Sequence, residues 1–570
     1  MEAGKRSINE IFNGNKILEI PFFQRSYVWD ESQWERFVAD MEFVSQNNKP
    51  YFLGSVILKQ QPTSSGQSIG DQRTVIDGQQ RLTTLNLFFK VLSLKLGNSY
   101  LNDIFRLPMR NGQIALLHNR NDVKAFNRVM DLNDLDDIQG DDNITRAYKF
   151  FKDQVDEKTI NIQNVLTNLM FVGVDLNHDD DEQQIFDTIN SLGVKLTTAE
   201  LLKNYFFGRN DIQLYIDHWQ SVFEPDQESR AYWETNIFAG RFERSFLDLF
   251  FYSFLQIKIQ DSTLNVRSED KAEFTKVDGL FESYKNFISR YQINKLELIA
   301  EIKEYAILFS ENFSLDAVDS ELPETPGIER INAIIFGLEN STLIPYVLYV
   351  LKSVSNPTTR NEIFDYLESY IMRRMVCHEV TKNYNQLFSE RFISNQILDV
   401  PAIKAYLSTR TDKVNFMPSD SEVSKAFSES KLTNKQATGV LYLIETRIRN
   451  KSLHSTSMMG IARYSLEHIM PKKWENNWPA VNSEDERIQR NRKLLTLGNL
   501  TIITASLNSS IRDGSWDTKK NGKANKKGLI YYASGLETFS SCLSFPKWDE
   551  AEIESRARSL SVMANSIWNA

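Results

Sequence analysis

The spacing of apolar residues in the first hundred positions predicts alternating strands and helices. Asp30 and Gln33 have the spacing of a helix capping box, and apolar side chains recur at helical intervals after them. The apolar runs Tyr51–Leu58 and Thr74–Ile76 have the aromatic and β-branched content of buried strands, and the polar stretch between them predicts a loop. A helical pattern with one apolar face begins at Gln79. We therefore predict a mixed α/β fold for this part of the chain.

Helical spacing dominates the middle of the chain, where strand patterns are scarce. Leu296–Leu308, Leu343–Leu351 and Asn361–Met375 are three examples. The Ser/Asp-rich stretch Pro418–Ser430 is the best candidate for a linker into the last part. These patterns predict an α+β multidomain protein with a helical middle region. The predicted domains are residues 1–212, 213–430 and 431–570.

Composition favours an ordinary globular protein over a disulfide-rich or membrane one. The chain has 570 residues, of which 41% are hydrophobic and 25% charged, so it can bury several cores. Its two cysteines, Cys377 and Cys542, are too few for a disulfide framework or a four-thiolate zinc site. The N-terminus lacks the apolar region of a secretory signal, and no apolar run reaches the length of about 18 residues that a membrane span requires. We expect a cytoplasmic protein without a membrane segment.

Charge is unevenly distributed along the chain. The net charge of −9 argues against a protein coated with basic surface for indiscriminate binding of nucleic acid. Between Asn491 and Ile530, however, the sequence contains eight Lys/Arg residues and only two Asp residues. Such a cluster can be a solvated surface or a patch that contacts phosphates, and charge alone leaves both interpretations open.

The strongest chemical signal lies in the last part of the chain. It consists of Glu467-His468, followed by Asn499 and Asn508, and these carboxylate and amide oxygens suit Mg²⁺ or Mn²⁺ better than zinc. A histidine with a pKa near neutrality can take a proton from a water that attacks a phosphodiester. Phosphate contacts are expected from the basic residues immediately downstream, which are Lys519, Lys520 and Lys523.

In these residues the chain resembles the HNH (ββα-metal) nucleases, in particular the HNH domain with an HxxP motif found in GmrSD-type restriction enzymes. The resemblance implies that His468 is the general base and that Asn499 is the asparagine that orients it. It also implies that Glu467 and Asn508 are metal ligands, although many HNH domains carry aspartate where this chain has Glu467. The closing segment Phe545–Trp568 resembles the C-terminal helix of these proteins.

A second constellation lies near the N-terminus, in the phrases IPFFQRSYVW (residues 20–29) and VIDGQQRLTT (residues 75–84). In the second phrase a predicted strand stops at Asp77-Gly78 and a helix starts at once, so its first amides are free to bind an anion. Gly78 would allow a ligand to approach the backbone, and Arg81 could grip a phosphate through two hydrogen bonds. Junctions of this kind are also common without any ligand, and the residues alone leave that alternative open.

The two phrases resemble the signature motifs of the ParB/sulfiredoxin-like domain that forms the N-terminal half of GmrSD, BrxU and SspE proteins. Residues 185–204 resemble a third family segment that packs beside the same site. The resemblance implies a site that binds and hydrolyses a nucleotide, whether ATP, GTP, UTP or CTP. The residues implied to surround the phosphates and metal are Asp77, Gly78, Gln79, Gln80 and Arg81, with Gln24 and Arg25 closing the pocket.

These features together predict a nucleotide-regulated endonuclease of phage defence. The resemblance implies that its substrate is foreign double-stranded DNA, carrying modified bases or a modified backbone. Two other function classes stay open: a nucleotide-switched regulator that binds DNA without cutting it, and a DNase toxin directed at the host genome. The sequence also leaves open the DNA modification, whether the protein nicks or cuts both strands, and whether it forms a homo-oligomer.

Overall fold

The computed structural model divides the chain into two compact units, Met1–Gln220 and Ser221–Ala570. The three domains predicted from the sequence stay a prediction. Among the described helices, none combines the length and the apolar character that a bilayer span requires. The structure describes residues 2–12, 16–22, 24–61, 72–119, 121–177, 197–208, 211–239, 242–276, 279–409, 414–450, 457–523, 525–532 and 535–570.

A mixed β-sheet organises the first unit. Its strands are β1 (Glu2–Ser7), β2 (Ile17–Glu19), β3 (Tyr51–Gln60), β4 (Gln72–Asp77), β7 (Leu116–Leu117) and β8 (Leu169–Leu176), and the short strands β5 (Arg106–Leu107) and β6 (Gln113–Ile114) pair separately. The spatial order is β1-β8-β3-β4-β2-β7. Because β3 runs parallel to β8 and antiparallel to β4, the sheet is mixed. The predicted α/β character of this part and its two predicted strands are confirmed, whereas the loop predicted between β3 and β4 lies mostly outside the described residues.

Helices cover the sheet and carry most of the first core. The capping box is confirmed, since the Asp30 amide donates to Gln33 at 2.9 Å and the Asp30 side chain accepts from the helix backbone. The helix Gln79–Leu96 is confirmed as well, but it is buried over most of its circumference rather than on one face. The α-helices that the structure describes in this unit are Ile8–Phe12, Glu31–Gln46, Gln79–Leu96, Tyr100–Asp103, Val123–Met130, Asn143–Gln154, Ile162–Asn168, Thr198–Phe206 and Ile212–Tyr215.

The second unit begins with a largely helical region, as predicted. One hairpin, formed by β9 (Asn236–Ala239) and β10 (Phe242–Ser245), interrupts it. Its described α-helices are Ser221–Phe223, Gln227–Glu234, Phe246–Lys258, Ser268–Phe274, Leu280–Arg290, Lys295–Asn312, Asp316–Asp319, Ile328–Asn332, Ile344–Ser353, Pro357–Val376, Val400–Ser408, Asp420–Glu429 and Asn434–Ile448. The three helices predicted from apolar spacing in this region are therefore confirmed.

The stretch predicted to be a linker is a packed helix. Ser419 and Glu422 form a capping box at the start of the helix Asp420–Glu429. Val423 and Phe427 are fully buried, and this helix contacts the C-terminal helix. The linker interpretation was wrong because serine caps this helix and aspartate lies in its first turn, and both residue types are also common in loops.

The last part of the second unit contains the remaining strands and ends in a long helix. The strands are β11 (Tyr464–His468), β12 (Leu500–Thr504), β13 (Gly522–Lys523) and β14 (Lys526–Lys527), and the helices are Glu484–Lys493, Ala505–Ile511, Trp516–Asn521 and Glu550–Ile567. The end of the chain is anchored to the helical region, because the Trp568 indole donates to Glu368 at 3.1 Å. Glu368 in turn accepts two hydrogen bonds from Arg330, and both of these charged residues are buried.

Candidate active site

A strand–strand–helix unit brings three of the predicted site residues together. β11 and β12 are antiparallel, with His468 opposite Leu500, and the helix Ala505–Ile511 starts directly after β12. Asn508 lies on this helix, and its amide nitrogen donates to the Leu466 carbonyl oxygen in β11 at 3.2 Å. The helix is thereby tied to the strand that carries Glu467 and His468.

Glu467, His468 and Asn508 line a single open cavity of about 490 Å³. Alternation along a strand would send two neighbouring side chains to opposite faces. His468, however, is the last residue of β11, and both it and Glu467 line the cavity. The structure therefore brings the predicted base and the predicted metal ligands to the same cavity.

The cavity is also lined by charged residues that do not belong to the predicted site. Lys472, Lys473 and Arg512 add positive charge to its lining, and Asp513 adds a second carboxylate. The two lysines directly follow the HxxP motif, so their position in the sequence could have identified them. Arg512 and Asp513 lie within the basic stretch, but only the fold brings them to the cavity.

A buried ion pair lies at the base of this site. The Lys519 ammonium contacts one carboxylate oxygen of Glu467 and donates to the His468 carbonyl oxygen at 2.7 Å. Lys519 has no exposed surface, and Glu467 is only 5% exposed. Burial raises the pKa of the Glu467 carboxyl and lowers the pKa of the Lys519 ammonium, while each charge counteracts the shift of the other.

The predicted DNA contacts therefore require a correction. Lys519 borders the cavity but is enclosed and paired with Glu467, so its charge is not displayed on the outer surface. Lys520 is half-buried and donates to the Phe545 carbonyl oxygen at 3.2 Å. Lys523 is exposed, so among these three lysines it is the one whose side chain is accessible to a DNA phosphate.

His468 is electrically neutral at physiological pH. Burial, reinforced by the positive charges of Lys472 and Lys519, lowers the pKa of its imidazole from 6.5 to about 4. A neutral imidazole has a lone pair with which to accept a proton. The residue is therefore in the protonation state that a general base requires.

Asn499 binds the main chain that follows His468 but does not orient the imidazole directly. Its side chain exchanges two hydrogen bonds with the main chain of Met470, accepting at 2.9 Å and donating at 2.8 Å. It also donates to Leu494 and accepts from the Trp548 indole, at 3.0 Å in each case. These bonds fill both donor and both acceptor positions of the carboxamide, so none is left for the imidazole. Asn499 instead fixes the main chain that follows His468, which corrects the predicted contact.

A buried arginine holds the other side of the same turn. Arg556, in the C-terminal helix, donates to the carbonyl oxygens of Gly498 and Leu500 at 2.9 and 2.6 Å. Burial lowers the pKa of this guanidinium to about 10, so it stays positively charged at neutral pH. The turn that carries Asn499 is thus held from two directions.

Glutamine side chains dock the two N-terminal motifs onto each other. Gln24 donates to a main-chain carbonyl oxygen of β4 at 2.8 Å. Gln79 donates to the carbonyl oxygen of Arg25, and Gln80 accepts from the Val28 amide at 2.9 Å. Because Gln79 and Gln80 are buried, this corrects their predicted role: they bind the main chain of the first motif instead of surrounding a phosphate.

The charged members of these motifs form ion pairs, and Asp77 and Arg81 lie at and just after the end of β4. Arg81 donates to the Ser55 carbonyl oxygen at 2.6 Å and lies 3.6 Å from the Asp77 carboxylate, which also accepts from the Ser55 hydroxyl at 2.6 Å. Arg25 lies 3.8 Å from the Glu200 carboxylate. The side chains of Arg25, Asp77 and Arg81 are charged and keep part of their surface exposed.

Gly78 is required by packing as well as by its backbone conformation. Its φ is +99°, in the region that favours glycine, and a Cβ would lie 2.9 Å from the Val56 side chain and 3.0 Å from the Ser55 carbonyl oxygen. The backbone at Gly78 is therefore approached closely by β3, where a ligand was predicted. Of the third family segment, residues 185–196 lie outside the described residues, and the rest lies at and within the helix Thr198–Phe206.

Two family models match the chain, and they lie on these two regions. The model described as GmrSD restriction endonuclease, N-terminal domain, matches residues 8–207. The model described as GmrSD restriction endonucleases, C-terminal domain, matches residues 417–563. The chain belongs to the GmrSD restriction endonuclease family. No curated protein matches it.

Both GmrSD domains coincide with the sites described above. The N-terminal domain includes the docked motifs, and the C-terminal domain includes the cavity with His468 together with Asn499 and Arg556. As a member of a restriction endonuclease family, the protein is a DNA endonuclease.

A divalent cation at the cavity of this GmrSD protein stays a prediction. Glu467, Asn508 and Asp513 line the cavity and carry hard oxygen atoms of the kind that Mg²⁺ and Mn²⁺ prefer, and the Glu467 carboxylate is paired with the Lys519 ammonium. Within the part of the chain that the structure describes, no group of three or more His, Cys, Asp or Glu side chains could hold a metal ion. Water or phosphate oxygens would complete the coordination, as is usual for Mg²⁺.

The low pKa of His468 leads to a prediction about pH. Below pH 4 the imidazole is protonated, and any function of its lone pair is lost as the pH falls through about 4 rather than 6.5. Replacing the exposed Lys472 by methionine removes one of the charges that lower this pKa, so the midpoint should rise toward 6.5. NMR titration of the His468 ring in the metal-free wild type and the Lys472→Met variant measures both values. Equal midpoints near 6.5 in the two proteins would contradict the burial of His468.

Proposed function

We propose that this GmrSD protein cleaves DNA by metal-dependent hydrolysis in an HNH-type (ββα) centre. The proposal depends above all on one observation: Glu467, His468 and Asn508 line the same cavity, on a strand–strand–helix unit. Together they provide a base and hard oxygen ligands, which hydrolysis of a phosphodiester requires.

The chain's own residues divide the reaction between them. His468 takes a proton from the attacking water, while the main-chain contacts of Asn499 hold the turn after it. Lys472, Lys473 and Arg512 bind the phosphate that enters the cavity. Glu467 and Asn508 hold Mg²⁺ or Mn²⁺, which when bound stabilises the negative charge of the reacting phosphate.

We further propose that the N-terminal domain binds and hydrolyses a nucleotide and regulates the cleavage. Arg25, Asp77 and Arg81 are the residues that support this, since all three are charged and partly exposed, and Asp77 and Arg81 lie 3.6 Å apart at the end of β4. Two arginines can hold phosphate oxygens, and a carboxylate can hold the accompanying metal ion. Regulation in this sense requires that the nucleotide alters cleavage or DNA affinity.

The proposed substrate is modified double-stranded phage DNA. Incubating the purified protein with modified and unmodified phage genomes, with Mg²⁺ and each of ATP, GTP, UTP and CTP in turn, tests this directly. We expect cleavage of the modified genomes that depends on Mg²⁺ and responds to one or more nucleotides. A supercoiled plasmid or genome that stays intact under every condition, although the protein binds it, would instead favour a DNA-binding regulator.

Replacing Arg81 by alanine should weaken nucleotide binding by about 10- to 100-fold, because charge-assisted hydrogen bonds to phosphate are lost. Isothermal titration calorimetry with the four nucleotides measures the affinity. The matched control is Arg146→Ala, which removes an exposed arginine of the same unit. If the Arg81→Ala variant binds every nucleotide as tightly as the wild type, Arg81 does not belong to a nucleotide site.

A further inference from the structure

A short hairpin beside the cavity presents lysines and tyrosines to solvent. β13 and β14 form this hairpin, and the turn Leu529–Tyr531 follows it. The exposed residues that we call the lysine–tyrosine surface are Lys523, Lys526, Lys527, Tyr531 and Tyr532. Catalysis as proposed above uses none of them.

The hairpin is tightly built. Gly522 has a φ of +91°, and a Cβ on it would collide with the Lys526 carbonyl oxygen. Gly528 lies so close to the Gly522 amide that it too has no room for a side chain. Leu529 is fully buried and anchors the turn. The lysines and tyrosines are therefore displayed by a short, tightly packed element.

This surface is strongly positive in an acidic protein. Between Lys519 and Leu536 the sequence has five lysines and neither aspartate nor glutamate, although the whole chain carries a net charge of −9. Because Lys519 is paired with Glu467 and Lys520 is half-buried, the free positive charge lies on the three exposed lysines. Such a charge suits a polyanion.

The surface also exposes two large aromatic rings. Tyr531 is 62% exposed and Tyr532 is 48% exposed. The Lys527 ammonium lies 5.6 Å from the centre of the Tyr531 ring, so a cation and an aromatic face are adjacent. Lysines that follow a phosphate backbone, beside rings on which bases stack, are typical of surfaces that bind unpaired nucleotides.

The surface is next to the cavity in the fold. β14 contacts the helix Ala505–Ile511, which carries Asn508. β13 directly continues the helix Trp516–Asn521, whose Lys519 lines the cavity. A DNA strand with one phosphate in the cavity is therefore close enough to meet the hairpin with neighbouring nucleotides.

We propose that the lysine–tyrosine surface binds a locally unpaired stretch of DNA next to the phosphate to be cleaved. Lys523, Lys526 and Lys527 contact its phosphates, and Tyr531 and Tyr532 stack on bases that have left the duplex. This inference rests on the proposed function, because that function places DNA in the cavity. The inference adds to that function a preference for DNA whose bases are locally unpaired.

The test is fluorescence anisotropy with labelled DNA in EDTA, so that no cleavage occurs. Three probes share one sequence: an intact duplex, the same duplex with about four unpaired nucleotides, and the single strand. We expect the wild type to bind the two probes with unpaired bases more tightly than the intact duplex. The Tyr531→Ala/Tyr532→Ala variant should lose about 5- to 100-fold in affinity for those two probes only.

Two variants separate stacking from charge. Tyr531→Phe/Tyr532→Phe keeps both rings and should keep the preference, which also controls for folding. Lys526→Gln/Lys527→Gln should weaken binding to all three probes. It should also make the slope of log affinity against log salt concentration shallower, by the amount expected for the loss of about two phosphate contacts. The inference is overturned if the wild type has no preference for unpaired bases, or if the alanine variant retains it. Failure of the proposed nuclease centre is a separate result. It would be seen as undiminished cleavage by the His468→Ala variant, whereas the test described here measures binding without cleavage.

Discussion

Replacing His468 by alanine should reduce Mg²⁺-dependent cleavage of susceptible DNA by about 10²- to 10⁴-fold, the usual contribution of a general base. DNA affinity should stay the same, because the cations that line the cavity and the lysine–tyrosine surface are unchanged. The rate of plasmid nicking and of phage-genome cleavage measures the first quantity, and anisotropy in EDTA measures the second.

The control for this variant is His378→Asn. His378 is exposed and has a φ of +62°, a conformation that asparagine tolerates, so the substitution removes a histidine without straining the backbone. This variant should cleave DNA at the wild-type rate. Undiminished Mg²⁺-dependent cleavage by the His468→Ala variant would refute the assignment of the base and, with it, the proposed centre.

Replacing Lys519 by methionine should lower the local free energy of unfolding around β11 by about 3 to 5 kcal/mol. The substitution leaves the buried carboxylate of Glu467 without its partner, and a buried unpaired charge is strongly destabilising. Hydrogen–deuterium exchange of the peptides that contain β11 and β12 measures the effect, since faster exchange reports easier local opening.

The double variant Glu467→Gln/Lys519→Met removes both charges and should recover most of the lost protection. Lys520→Met provides the matched control, because the neighbouring lysine is half-buried and donates to a carbonyl oxygen without an acidic partner in that bond. Equal exchange in the Lys519→Met and Lys520→Met variants would show that the pair with Glu467 does not stabilise the site.

Local patterns in the sequence predicted local structure well. The capping box of Asp30 and Gln33, the strands β3 and β4 and the helix from Gln79 are all present. Each depends on interactions between residues a few positions apart or on a simple period of apolar residues, and both can be read directly from the order of the residues. Pro418–Ser430 shows the limit of this approach, because serine and aspartate begin helices and form loops equally well.

The motifs predicted the family and part of the cavity, but they did not predict which residues are buried. Lys519 and Lys523 lie in the same basic stretch of the sequence, yet Lys519 is enclosed with Glu467 and Lys523 is exposed. Gln79 and Gln80 likewise follow a motif that suggests phosphate binding, whereas their side chains bind the main chain. The difference depends on which distant segments pack against each side chain.

The family, the helices and strands with a clear apolar period, and the residues available for chemistry could all be predicted from the order of the residues. The pairing of Glu467 with Lys519, 52 positions away, and the binding of Asn499 to main chain instead of the imidazole depend on the folded structure. This is because desolvation and hydrogen-bond partners are set by long-range packing. Neither property belongs to a residue or to its neighbours in the chain.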